Sequence, residues 1–436
     1  MNKASKLSSN IYYGWVVIGT LFTVTLMSSG TRFSFGAFYD ALLDDFGWSR
    51  SLLAGAASLN LILAGLVRPI LGTFVDRFGS KEVLAAGLAL AAISLVLLSF
   101  ATSLWHFYLL FSLMSVGYAA ASPATAVPLV SRWFVRQRAT AQSIASTGSP
   151  TGELLVVPIL TAVLLLTDWQ TAYRILAVGI GLLLLPCALV LVRNDPSELG
   201  LMPDNDGIQE VASKSQVDLP GMSLNEALRS PLFWQLGFGF FVCGFTMTFA
   251  STHFMVFAGD LGIKKMTVSF AMAMIGGVSI VATVLFGYFG DRLPRKNLLA
   301  AVYFLRGAAF FVLWTTHEEY ALFLGAFLLG LSWGATTPLT SACVSDAYGQ
   351  RNLGSIFGTM FAIMPIGAGL GAYLAAAIFD VSGSYGPALL LDGILGCLAA
   401  LTIYRIKTSD LASYRLDFPE VRILEASTVK EAVIEQ

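Results

Sequence analysis

The chain has 436 residues, 56% of them hydrophobic and only 12% charged, with 26 Lys and Arg against 27 Asp and Glu. A soluble domain carries about 25% charged residues, so this chain lacks the charge to cover a water-facing surface and its composition points to lipid. A formal net charge of −1 sets up no global field for nucleic acid or acidic partners.

A helix needs about 20 apolar residues to cross the hydrocarbon core. Twelve stretches meet that need, at residues 13–39, 52–75, 83–101, 104–130, 139–166, 170–193, 231–257, 267–290, 297–315, 320–345, 353–379 and 386–406. No short apolar region with a small-residue cleavage site precedes the first, which is therefore expected to stay in the mature chain. Short turns separate the stretches, except for a polar linker between Arg193 and Ser230. The expected organisation is an N-terminal six-helix lobe (1–193), a cytoplasmic linker (194–230), a C-terminal six-helix lobe (231–406) and a cytoplasmic tail (407–436). The fold class is thus an all-α membrane protein of twelve transmembrane helices in two pseudo-symmetric six-helix lobes.

Orientation follows from Lys and Arg. With the N-terminus inside, the inner segments hold 19 of these cations and the outer loops hold four, Arg50, Arg174, Lys264 and Lys265. Both termini and the linker are expected in the cytoplasm. The four cysteines (Cys187, Cys243, Cys343, Cys397) lie in apolar stretches without metal-ligand or disulfide spacing, and read as packing residues.

The two halves repeat. Gly72-Thr-Phe-Val-Asp76-Arg77-Phe-Gly-Ser-Lys81 follows the second stretch, and Gly287-Tyr-Phe-Gly-Asp291-Arg292-Leu-Pro-Arg-Lys296 follows the eighth. Gly, Asp, Arg and Lys fall at identical offsets. A six-helix repeat is the mark of a two-lobed transporter that rocks around a midplane site. Membrane-embedded enzymes, ATP-driven pumps and sensors find no support. There is no His-rich cluster, phosphate-cradling glycine loop or nucleophile elbow, and no cofactor or metal is expected.

The paired loops resemble the signature of the major facilitator superfamily, over essentially the whole chain from Tyr13 to Ile406. A narrower resemblance rests on five pieces in order. These are Tyr13-Gly14-Trp15, Gly47-Trp48-Ser49-Arg50, Arg132-Trp133-Phe134 with Arg138, Gly148-x-x-x-Gly152, and Pro196-x-Glu198-x-Gly200-Leu201-x-Pro203-Asp204. Together they are similar to the monocarboxylate transporter branch and its bacterial relatives, near the oxalate–formate exchangers. Arg32-Phe33-x-Phe35-Gly36, Thr252-His253-Phe254 and Leu305-Arg306-Gly307 match the bacterial members. The resemblance implies proton-coupled symport of a small organic anion, a monocarboxylate first, by alternating access. An organic-anion exchanger and a carrier of a neutral small molecule stay open. It also implies a monomer in a bacterial inner membrane, with protons, lipid and the small organic anion as its partners. The sequence departs from the animal branch at the Asp and Arg which that branch carries on the eighth helix. Those positions here are Ser279 and Thr283. Residues 353–379 also lack the Lys of the oxalate–formate exchangers, so a dicarboxylate clamped by two cations is not expected.

Charge in a membrane helix costs about 2.5–3.5 kcal/mol at its centre on insertion scales and needs a reason. Arg32 is the expected substrate-carboxylate anchor, because a guanidinium binds carboxylate bidentately; the alternative is an arginine reaching the outer interface. Glu153 is the expected proton carrier, or a neutralising partner for Arg68. Arg68 occupies the repeat equivalent of Thr283 and reads as a gating cation or a structural ion pair. Arg306 and Asp392 read as structural charges that lock together. His253 on the seventh helix is a candidate to bind a carboxylate or to titrate. Tyr118 with Ser122, and Ser332 with Trp333, are expected to face the cavity. Asp76, Arg77, Lys81, Asp291 and Arg292 form the expected latching loops.

Overall fold

A computed structural model describes residues 12–48, 50–205, 221–315 and 318–407. Residues 206–220 of the linker and nearly all of the tail lie outside that range. Among the described residues the chain is helical, with no strand and one isolated bridge between Gly221 and Gly349.

Among the described residues twelve long helical segments follow one another, with a shorter helix, Phe35–Phe46, between the first two. They are α1 (Gly14–Phe33), α2 (Arg50–Phe78), α3 (Ser80–Leu98), α4 (Leu104–Trp133), α5 (Arg138–Leu166), α6 (Trp169–Leu191), α7 (Pro231–Asp260), α8 (Lys265–Gly290), α9 (Arg295–Thr315), α10 (Glu319–Tyr348), α11 (Leu353–Ser382) and α12 (Gly386–Tyr404). Eleven of the described helices are long and apolar enough to cross a membrane. The second expected stretch is α2, a helix of 29 residues with Pro69 inside it. At about 1.5 Å per residue it reaches across a bilayer. Helices are the form such a chain must take, because hydrocarbon offers no partner for backbone N–H and C=O groups. The faces turned outward are apolar, as with Leu154, Ile159, Leu165 and Leu166 on α5 and Leu182 and Leu183 on α6.

The chain divides into two compact units. One comprises Met1–Val67 and Arg77–Ser215, and the other Arg68–Asp76 and Gln216–Gln436.

In the first unit α1 packs on α5 and α3 packs on α4. Lipid tails are as apolar as Leu, so close packing rather than hydrophobic transfer holds such pairs. Glycine makes the approach possible. Gly148 and Gly152 of α5 lie against the carbonyls of Phe22 and Leu26, and Gly30 of α1 lies against Val156. Gly87 of α3 meets Gly117 and Ala120 of α4.

The second unit repeats the pattern. α7 packs on α11, and α9 packs on α10 and α12. Gly244 faces the carbonyl of Met364, while Gly367 and Gly371 face those of Phe241 and Phe245. Gly307 of α9 sits against Gly393 and Gly396 of α12.

Three interruptions matter for the site. α4 breaks between Ala120 and Pro123, where Ser122 is extended (φ −94°, ψ 173°) and caps the second segment. α10 breaks after Trp333. α7 contains a π turn at Phe249–His253, a feature that recurs at functional positions.

Candidate functional site

Arg32 lies in the last turn of α1 and Glu153 near the middle of α5. The glycine contacts of Gly30, Gly148 and Gly152 set these two helices close together, and the two charges interact across the gap. The Ser149 hydroxyl lies beside the Glu153 carboxylate, one helical turn away. Glu153 lies on an exposed face of α5. The cation beside it is Arg32.

Tyr118 is buried with its hydroxyl beside Thr31, the neighbour of Arg32, but without hydrogen-bond geometry to any described residue. The Thr31 hydroxyl is already committed, donating to the Met27 carbonyl at 2.8 Å. Ser122 does something else. Its hydroxyl accepts the Ala124 N–H at 3.3 Å as a helix cap. The break at Ala121 separates Tyr118 from Ser122 along α4.

In the second unit His253 sits at the end of the π turn. Its Nε2 is 3.1 Å from the Ala372 carbonyl of α11, and its Nδ1 is 3.3 Å from the Tyr385 hydroxyl. Trp333 is half-buried at the end of the first α10 segment, against the apolar cluster around Phe310 and Leu329. Ser332 does not face a cavity. It is wholly buried, and its carbonyl accepts from Arg306 Nη2 at 2.5 Å while its hydroxyl lies 3.4 Å from Arg306 Nε. Thr336 completes the set at 3.2 Å. Arg306 therefore turns to α10 and forms no lock with Asp392, whose Oδ1 is buried with no partner among the described residues.

Ser279 and Thr283 are both 1% exposed and face the break in α10, where Thr283 presses on Gly334. Close backbone packing occupies the place where the resemblance would put an ion pair. Thr283 satisfies itself by donating to the Ser279 carbonyl at 2.6 Å.

The repeated loops have distinct partners. Asp76, in the second unit, accepts the N–H groups of Gly354 and Ser355 at 2.8 and 2.7 Å. A carboxylate is favourable at the positive N-terminal end of α11. Gly72 lies against the backbone of Gly354 and Ser355, and the Arg68 guanidinium covers the Phe361 ring at 4.4 Å. Arg77 lies over Phe78 and Arg292 over Tyr288, at 5.2 and 3.5 Å. The Lys81 N–H donates to Asn194 Oδ1 at 2.8 Å. Asp291 pairs with Arg295 at 3.2 Å, and Arg295 also grips Asp346. Nothing in the local sequence marks Arg295 and Asp346 as partners. Arg295 reads as one more inner-loop cation, and Asp346 lies one residue past the tenth apolar stretch.

The Pro196–Asp204 motif is a brace for the first unit. Asp195 and Glu198 form a capping box. Asp204, held at φ 54°, accepts the N–H groups of Val135 and Arg136 at 2.8 and 2.7 Å.

A family model of the Major Facilitator Superfamily matches residues 21–317 and 236–422. The chain belongs to that superfamily. It is a multi-pass membrane transporter of the superfamily and not an enzyme. The chain is 28% identical over 378 residues to the uncharacterized MFS-type transporter YcxA of Bacillus subtilis, covering 85% of this chain and 90% of that one. It is 26% identical to monocarboxylate transporter 11 of Homo sapiens (88% of this chain, 80% of that one) and 25% identical to monocarboxylate transporter 12 of Rattus norvegicus (87% and 82%). These place it near the monocarboxylate transporter-like branch. Solved structures agree on the fold. A structure of the proton:xylose symporter XylE bound to 6-bromo-6-deoxy-D-glucose superposes with a TM-score of 0.67 at 15% identity, covering 90% of this chain and 96% of that one. The human organic anion transporter MFSD10 gives 0.68 at 14%, covering 89% and 99%.

Proposed function

We propose that this superfamily member is a secondary active transporter of a small organic anion, a monocarboxylate first, driven by proton symport. The observation that carries the reading is the Arg32–Glu153 pair on the tightly packed α1 and α5. A guanidinium offers two parallel donors to a carboxylate, and the substrate carboxylate competes with Glu153 for them. A proton on Glu153 releases Arg32 to the substrate. A proton on His253 serves the same charge balance from the second unit. Burying an unmatched charge is costly, so the loaded carrier moves when its charges are balanced.

The likeness to monocarboxylate transporters supports the substrate class. Ser279 and Thr283 supply no second cation, which favours one carboxylate over two. Tyr118, Ser122 and Trp333 are assigned to shaping the pocket. Asp76, Arg77, Lys81, Asp291, Arg292, Arg68 and Arg306 are assigned to gating and support. The Lys and Arg distribution supports cytoplasmic termini, and the chain is assigned to the cell inner membrane as a monomer. The lobes are taken as 1–193 and 231–406, with 194–230 as linker and 407–436 as tail.

The test is uptake into proteoliposomes of labelled lactate, pyruvate, acetate, benzoate and oxalate, with and without an inward proton gradient. Accumulation of a monocarboxylate only under the gradient is the expected result. Uptake indifferent to the gradient but dependent on internal anion replaces symport with exchange. Folded protein that takes up no acid overturns the organic-anion reading.

A further inference from the structure

One end of the second unit contains a cavity of about 230 Å³, lined by Phe257, Asp260, Trp314, Phe379 and Tyr385 among others. It lies where α7, α9 and α11 end and α12 begins, which is the outer side in the orientation proposed above. Among the described residues no Lys or Arg lines it. Tyr385 forms part of its wall, is 8% exposed, and touches His253 on the other side. The rings of Phe379 (centroid 4.6 Å) and Phe249 (5.6 Å) fix the phenol in place.

The two contacts of His253 define its tautomer. A main-chain carbonyl only accepts, so the nitrogen facing Ala372, Nε2, carries the hydrogen in the neutral ring. Nδ1 is then the bare nitrogen, and the group facing it is the Tyr385 hydroxyl, which donates. No second route to Nδ1 is needed, because the hydroxyl already connects it to the cavity.

We propose that Tyr385 is the proton relay of His253, carrying protons from the outer water through its hydroxyl to Nδ1, with Asp260 at the mouth of the cavity. The proposal deepens the proton-symport reading and rests on it for its purpose in transport. The step balances. The Tyr385 O–H bond breaks as its proton forms the Nδ1–H bond, and a hydronium ion in the cavity re-protonates the same oxygen and leaves as water. The charged imidazolium keeps Nε2–H on the Ala372 carbonyl and donates Nδ1–H to Tyr385, whose own proton now points into the cavity.

Among the described residues, the charged groups acting on Tyr385 are Asp260 at the end of α7 and Asp380 near the end of α11. Burial, and then the carboxylates of Asp260 and Asp380, hold the Tyr385 phenol above its ordinary value. Tyr385 therefore stays protonated and passes one proton only while receiving another. The exposed Asp260 carboxylate raises the local proton concentration at the entrance.

The experiment reads proton exchange at the histidine ring nitrogens by isotope-edited NMR, on the full chain in nanodiscs. The other two histidines, His106 and His317, are replaced by glutamine. The expected neutral form carries its hydrogen on Nε2. Tyr385→Phe keeps the ring packing and is expected to slow exchange at His253 by about tenfold or more without changing the tautomer. Asp260→Asn, an exposed substitution, is expected to slow it less. A neutral ring protonated on Nδ1, or unchanged exchange in Tyr385→Phe, overturns the relay. Should Tyr385→Phe elute as unfolded protein, Asp260→Asn decides: slower exchange supports the relay and unchanged exchange overturns it. The measurement needs no substrate. A failed relay leaves proton symport standing, and a failed uptake assay leaves the NMR result standing.

Discussion

Arg32 on α1 and Glu153 on α5 are charged partners across a glycine-lined helix contact, with the Ser149 hydroxyl beside the carboxylate. The pair gives two substitutions with different outcomes. Glu153→Gln removes the titrating group and leaves Arg32 available. Gradient-driven accumulation is expected to vanish while exchange of labelled for unlabelled anion persists. Arg32→Ala removes the anchor, and a hydrogen bond to a charged group contributes about 1.5–3 kcal/mol. Its KM is expected to rise roughly 10- to 100-fold in both assays, at equal expression and unchanged thermal stability.

The helices and their order were legible in the sequence because hydropathy and length decide them without tertiary context. The site was legible only in part. Arg32, Glu153 and His253 stand out as charge or polarity in apolar runs. Tyr385 lies in the turn between α11 and α12, where a tyrosine is ordinary, and no local pattern links it to a histidine 132 residues earlier. The hydrogen bonds of Ser122 and Ser332 could not be read from helical phase. One is consumed by a cap and the other by Arg306. The missing ion pair at Ser279 and Thr283 was visible, but not that Gly334 packs into its place.

Gly152 lies against the Leu26 carbonyl with no space for a side chain. Overpacking of this kind costs about 1–3 kcal/mol. Gly152→Leu is expected to push α1 from α5, lower the melting temperature in detergent and separate Arg32 from Glu153. Gly369, which has open space around it, is the control: Gly369→Leu is expected to leave the melting temperature unchanged.

Arg295 holds Asp291 and Asp346 in a network almost closed to water, with the three side chains 4%, 6% and 9% exposed. Removing one partner leaves buried charge uncompensated, at a cost of about 3–5 kcal/mol. Asp346→Ala is expected to lose much of that range, since Asp291 still pairs with Arg295. Adding Arg295→Met to it is expected to cost less than Arg295→Met alone, because the pair with Asp346 is already gone. Additive losses in the double variant, measured by thermal unfolding, contradict the coupling.

Asp168 caps α6 by accepting the Thr171 N–H at 2.5 Å, and this bond to the charged carboxylate holds it below the usual aspartate range. A depressed folded value means stability that is fully present above the unfolded value, near about 4. It is lost as pH falls through the folded value. Asp168→Ala is expected to lower the melting temperature at neutral pH, with the gap to the parent closing in acid. A gap that stays constant as pH falls shows that the carboxylate charge contributes nothing.

Asp76 accepts two N–H groups at the start of α11 through its two oxygens. Alanine removes both acceptors, and a lost cap costs about 1 kcal/mol. Asparagine keeps one acceptor oxygen and drops the charge that the helix end favours. Stability is therefore expected to fall in the order Asp76, Asn, Ala. In the gating role proposed for this loop, transport responds differently from stability. The initial uptake rate is expected to fall in both variants, more than the small loss of folded protein accounts for. Glu153→Gln, which leaves the loop intact, supplies the comparison: its exchange rate is expected to match the parent, while that of Asp76→Ala is expected to drop. Equal exchange rates in Asp76→Ala and the parent confine Asp76 to capping and remove it from the transport cycle.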